Sequence, residues 1–171
     1  MRAFLLAVLI LAGAVPAATA QTTIPLAATN GWEAYQVPPN QNGSGLCGMG
    51  TSANSRGRFI WIKIERLRGQ LHGFVQVGQD NWNVADTVRG RLHVAIDGRV
   101  AELAYAGTNR GTTIEASYRG AFSNFINFVE SFAAGYRMEI RFPDDDVAPW
   151  TADLRGTRAV TNAFVACARR L

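Results

Sequence analysis

Pro149-Trp150-Thr151-Ala152-Asp153-Leu154-Arg155-Gly156-Thr157 changes its hydrophobic period partway along, and that change governs the reading of the chain. Trp150, Ala152 and Leu154 alternate with Thr151, Asp153 and Arg155, the two-residue period of a strand. Gly156 interrupts it. From Thr157, a good N-cap residue, the period lengthens: Val160, Ala163, Phe164 and Cys167 recur at i, i+3, i+4 and i+7, one face of a helix expected over 157–169. Arg169 and Arg170 close its last turn, where positive charge suits the carbonyl end of the dipole. A strand followed at once by a helix that carries Cys167 inward reads as the piece that closes a domain.

Upstream, strand signals dominate. Phe59-Ile60-Trp61-Ile62-Lys63-Ile64 is the strongest, rich in β-branched and aromatic residues. Trp32–Val37, Leu46–Thr51 with Cys47 inward, Leu71–Val77, Val88–Ile96, Val100–Tyr105, Thr112–Tyr118 and Tyr136–Phe142 follow the same logic. Asp97-Gly98 is the most specific turn signal, a type I′ hairpin between two alternating runs. Pro38–Gly45, Ser52–Gly57, Arg66–Gln70, Gly78–Asn83 and Pro143–Asp146 read as turns or loops by composition. Residues 21–31 read as a polar, irregular lead-in. Only Phe122, Phe125, Ile126, Val129 and Phe132 repeat at helical spacing, giving a helix over 121–134 with Gly135 at its C-cap. Many short strands, a helix, two strands and a helix predict a mainly β (α+β) fold: a single antiparallel β-sandwich-like domain over 21–171 with two packed helices.

The chain opens Met1-Arg2, runs apolar from Ala3 to Ala14 and reaches Ala18-Thr19-Ala20. This is the pattern of a secretory signal peptide over 1–20. A membrane anchor is the weaker reading, since spanning takes about 20 apolar residues. No integral membrane segment is expected after cleavage, and the mature protein is expected in the periplasm or secreted. The formal charge of +4 rests almost wholly on arginine, with Lys63 the single lysine. Arginines at 56, 58, 66, 68, 89 and 91 cluster in sequence, but interspersed acids and export argue against a nucleic-acid partner. Two cysteines in an exported chain read as one disulfide, Cys47–Cys167; a reactive thiol or a metal pair is the competing reading.

Motifs for chemistry are sparse. His72 and His93 have no metal-binding spacing, and Asp144-Asp145-Asp146 lacks the spacing and glycine of a calcium loop. Gly43-Ser44-Gly45 is too short for a nucleophile elbow, and Gly48-Met49-Gly50 lacks the third glycine of a dinucleotide turn. Glu65 with Asp80, or Glu102 with Glu115, would need the sheet to bring them together. No catalytic, cofactor or metal site is therefore predicted. Trp32, Trp61 and Trp150 lie in apolar alternation and read as core. Trp82 lies in a polar loop. Flanked by Asn81 and Asn83, with Arg89 and Arg91 on the next strand, it is the candidate contact surface for a protein or glycan partner of unknown identity. The competing reading folds Trp82 back as a plug on the core.

The exported start, the Trp-containing first strand, the early cysteine, Ile96-Asp97-Gly98, the helix from Phe122 to Ala134, Met138–Phe142 and the closing Leu154-Arg155-Gly156 before a cysteine-bearing helix together resemble the invasion-associated locus B family. The resemblance implies a small β-rich periplasmic or surface-associated protein, linked in some members to host-cell entry. That family has no assigned catalytic residues to carry over. The expected function is thus an exported non-catalytic binding or accessory protein, with a small secreted hydrolase as the alternative.

Overall fold

A computed structural model of the chain describes residues 22–51, 57–118 and 122–171. The signal-peptide reading, most of the turn expected over 52–57 and residue 121 of the first helix lie outside them. The described chain forms β1 (Ile24–Thr29), β2 (Trp32–Val37), β3 (Leu46–Thr51), β4 (Arg58–Leu67), β5 (Gln70–Gln79), β6 (Arg89–Ile96), β7 (Arg99–Gly107), β8 (Thr113–Ser117), α1 (Phe122–Ala134), β9 (Arg137–Arg141), β10 (Trp150–Asp153) and α2 (Thr157–Ala168). The fold is mainly β with two helices, as expected. No helix among the described residues is long and apolar enough to cross a membrane.

All ten strands belong to one antiparallel sheet in the order β1-β2-β3-β4-β5-β8-β7-β6-β9-β10. The sheet curls until its two ends meet, and this curvature does the covering that a second sheet would do. The Trp32 indole N–H, on β2, donates to the Asp153 carbonyl on β10 at 2.9 Å. The Asn30 amide donates to the Arg155 carbonyl at 3.0 Å. Among the described residues no strand ladder joins the two ends, so they meet along a seam.

The concave face carries the apolar alternation: Ile60, Ile62 and Ile64 on β4, Val75 and Val77 on β5, and Leu92, Val94 and Ile96 on β6 are all buried. Helix α2 lies over β1, β2 and β3, and α1 packs on α2 and β5. The phenylalanine stripe of α1 supplies the filling. Phe125 and Phe132 are fully buried, and Phe132 meets Trp32 edge-on at 6.0 Å. Burying side chains of this size contributes roughly 1.5–3 kcal/mol each. Cys47 of β3 and Cys167 of α2 are bonded, with Cα atoms 6.0 Å apart and no exposure at either residue.

Four sequence expectations change. Residues 24–29 are not a loose lead-in but an edge strand, joined to β2 by a type I′ turn at Asn30-Gly31 (φ 48° and 78°). Trp61 is half-buried on the outer face, because Ile60, Ile62 and Ile64 take the inner one. Thr157 is the first helical residue rather than the cap: left-handed Gly156 holds the cap position. Gly135 follows α1 without a left-handed backbone; a side chain there would run into Ile96 and Leu154.

The buried Thr157 hydroxyl lies 2.6 Å from the Phe132 carbonyl and 2.7 Å from the Leu154 carbonyl. Its one proton serves the last turn of α1 and the start of α2 together. Thr157→Val should lower stability by about 1–3 kcal/mol, the penalty for stranding buried carbonyls. Thr157→Ser should restore most of it. Denaturant midpoints for the pair check this, and equal loss in both variants would assign the effect to packing instead.

A second device runs across the sheet. Tyr35 faces Gly48, Trp61 faces Gly50, Phe59 faces Gly78 and Tyr105 faces Gly90 as direct cross-strand pairs. In each, the ring lies where the glycine has no side chain. Aromatic rings over glycines seal the backbone and pin register. Burial, helped by the charge on Glu33, pushes the Tyr35 phenol up to about 12.

Candidate ligand-binding site

The curl of the sheet brings three distant aromatic residues into contact. Trp82 comes from the loop after β5, Phe142 from the residue after β9, and Trp150 opens β10. Ring centroids lie 5.3 Å apart for Trp82–Trp150, 5.6 Å for Phe142–Trp150 and 5.7 Å for Trp82–Phe142. Trp150 is only 6% exposed; Trp82 is half-buried. The trio stands between two hollows.

The first hollow, of about 380 Å³, occupies the seam between β10 and the ends of β3 and β4. Ile60, Met138, Ile140 and Trp150 line it, with Thr51 and Arg58 among them. The Arg58 guanidinium carbon sits 5.1 Å from the centroid of the Trp150 ring, a cation–π contact. Its Nε–H donates to the Gln79 side chain at 3.2 Å, which fixes its direction.

The second hollow, of about 300 Å³, is lined by Trp82 and Phe142 together with Val84, Val88, Tyr105 and Asp145. The Tyr105 hydroxyl donates to the Asp145 carboxylate. Burial, that hydrogen bond and the charges on Asp145 and Asp144 raise the phenol well above its ordinary range, so it stays a neutral donor. Arg91 holds the same loop to β6. It donates to Asp144 through its side chain at 2.6 and 3.0 Å and through its backbone N–H at 3.1 Å. These contacts keep the Asp144 carboxyl below the usual carboxylate range.

The residues of the predicted contact surface are only partly gathered here. Trp82 and Asn83 line the second hollow; Asn81, Arg89 and Arg91 do not. Arg89 turns its guanidinium to the Asp86 and Val88 carbonyls, at 2.6 and 2.7 Å. Of the groups weighed for chemistry, His93 lies 2.9 Å from Glu102 across the β6–β7 hairpin, and His72 is exposed opposite Glu65. Glu65 and Asp80 sit at opposite ends of the β4–β5 hairpin, and Glu115 faces Ala106, four residues along β7 from Glu102. Among the described residues, no group of three or more His, Cys, Asp and Glu side chains is placed to hold a metal.

Sequence reasoning missed Arg58, Phe142 and the role of Trp150. The only early signal is that Phe142 and Trp150 each adjoin a proline, and Arg58 has none; the convergence depends on the curvature of the whole sheet. No protein-family model, no curated protein and no solved structure matches this chain.

Proposed function

We propose that this chain is an exported, non-catalytic binding or accessory protein of the periplasm or cell surface, and that it engages its partner at the aromatic trio. The observation that supports this reading is the convergence of Trp82, Phe142 and Trp150 from three separate segments, between two mainly apolar hollows. Apolar concavities with a few placed polar groups are the usual make-up of small binding sites, and half-buried tryptophans are frequent anchors of contact. The secretory start and the resemblance to the invasion-associated locus B family point the same way on export. A host-contact role is a narrower version of the same reading.

The test uses a photo-crosslinking residue at Asn83, beside the trio, and a control at Arg169 at the far end of α2. In the native cell, position 83 should trap one defined species that position 169 does not. Adding Trp82→Ala should reduce that capture at least ten-fold. The same substitution should lower stability by about 2 kcal/mol, roughly half the 3–5 kcal/mol of a fully buried tryptophan, leaving a folded protein. Undiminished capture by folded Trp82→Ala, or equal capture from both positions, overturns the proposal.

A further inference from the structure

The residues around the seam hollow include one cation and no acidic side chain, and this specifies a class of ligand. Arg58 brings a full positive charge. All 13 acidic residues of the chain fall in the described segments, and none forms an ion pair with it. Among the described residues only its Nε–H is engaged, with Gln79, and the two terminal nitrogens have no partner there. The Trp150 indole N–H is buried and has no acceptor among the described residues. The Thr51 hydroxyl accepts the Ile60 N–H at 3.1 Å and donates to no other described residue.

The edge of β10 adds backbone groups. Leu154 N–H bonds to the Tyr136 carbonyl in the same register that pairs Trp150 with Ile140. Alternation in an antiparallel ladder then turns the N–H and C=O of Thr151 and Asp153 away from β9. The Asp153 carbonyl already takes the Trp32 indole, while Thr151 lines the hollow. Arg58 and the Thr51 hydroxyl offer side-chain donors and Thr151 a backbone N–H, Pro149 and Thr151 bring carbonyls, and no carboxylate lines the hollow. The apolar wall includes Ile60, Met138, Ile140 and the Trp150 ring. Its volume of about 380 Å³ admits one ring or a short chain.

We infer that the seam hollow binds a small amphipathic carboxylate, its apolar body among Ile60, Met138, Ile140 and Trp150 and its carboxylate on Arg58. Guanidinium groups hold carboxylates through paired, charge-assisted hydrogen bonds, and a partly desolvated wall strengthens them. An amine of the same length would set its charge against Arg58. An alcohol would forgo the ion pair. The inference rests on the binding reading above and names the ligand for one of its two hollows.

The experiment titrates octanoate, octanol and octylamine into disulfide-intact protein carrying labelled methionine and isoleucine methyl groups. Octanoate should shift the methyl signals of Met138, Ile60 and Ile140 and bind at least ten-fold more tightly than octanol, with octylamine the weakest. Arg58→Gln should bring octanoate down to the affinity of octanol while the melting temperature holds. If that variant unfolds, the octanoate-to-octanol ratio on the unaltered protein decides the matter. Equal binding of octanoate and octanol, or preference for octylamine, overturns the carboxylate assignment and leaves the binding reading standing. If none of the three moves those methyl signals, the hollow is not the site. The Trp82-dependent capture then judges the binding reading separately.

Discussion

Replacing Cys47 and Cys167 together with alanine lowers the unfolding free energy by roughly 3 to 5 kcal/mol, the scale that the chain-entropy model assigns to a long closed loop. The two residues are 120 positions apart, so the cross-link constrains most of the unfolded chain. It acts on the folded state as well. The bond ties α2 to β3, and α2 is the roof over β1, β2 and β3. Both sulfur atoms are buried, so the truncated pair also leaves a small void in the core. Denaturant unfolding of the two forms measures the difference, and the slope shows whether the unfolded chain expands without its cross-link. A loss below about 1 kcal/mol would mean that the cross-linked native state carries offsetting strain, as engineered bridges often do.

The second large effect is expected from one methyl group. Gly50→Ala should cost about 3 kcal/mol or more, at the upper end for overpacking. The new carbon would lie 2.1 Å from the Ile60 carbonyl oxygen and 2.7 Å from the Trp61 ring. The ring can swing; the carbonyl belongs to a strand held on both sides by ladders. Gly69→Ala is the matched control. It sits in open space at φ 81°, so only the left-handed backbone opposes a side chain, about 1–2 kcal/mol. Melting both variants separates crowding from conformation. Equal losses would show that β3 and β4 can move apart, and that the aromatic–glycine pairing is not rigid.

What could be read in advance followed from local chemistry. Asp97-Gly98 announced its hairpin because alternating residues flank it on both sides, and φ of 47° and 84° match. Asn30-Gly31 carries the same signal and the same backbone, yet its first strand was hidden. Pro25 and a register shift before Ala27 break the alternation there, which an edge strand tolerates because one side needs no ladder. The face of Trp61 was misjudged because Ile-Trp-Ile is apolar throughout, and period two cannot say which set faces in. The aromatic–glycine pairs depend on register, and register is a property of two strands at once. The site is the extreme case. Trp82 and Trp150 are brought together by a sheet that curls across all ten strands, so no window of sequence contains the information. The cysteine pairing was legible for the opposite reason: two cysteines allow one connectivity.

The placement of α2 has a consequence for how this molecule is made. Strands β1 to β5 form an unbroken meander whose members pair with their neighbours in order. Their concave side, with Ile60, Ile62 and Ile64, belongs to a core completed by α1 and α2, and α2 follows every strand in the chain. Synthesis runs the other way from closure: the earliest strands to emerge are roofed by the latest helix. A chain that pairs these strands before α2 is present would expose their apolar side, the kind of species that associates with its own copies. A stop codon after β9 would release nine of the ten strands and α1 without α2, the roof over β1, β2 and β3. Until α2 is docked, the apolar side of β1, β2 and β3 is without its cover, and docking of that one helix weighs more on the chain's solubility than the stability of any one strand.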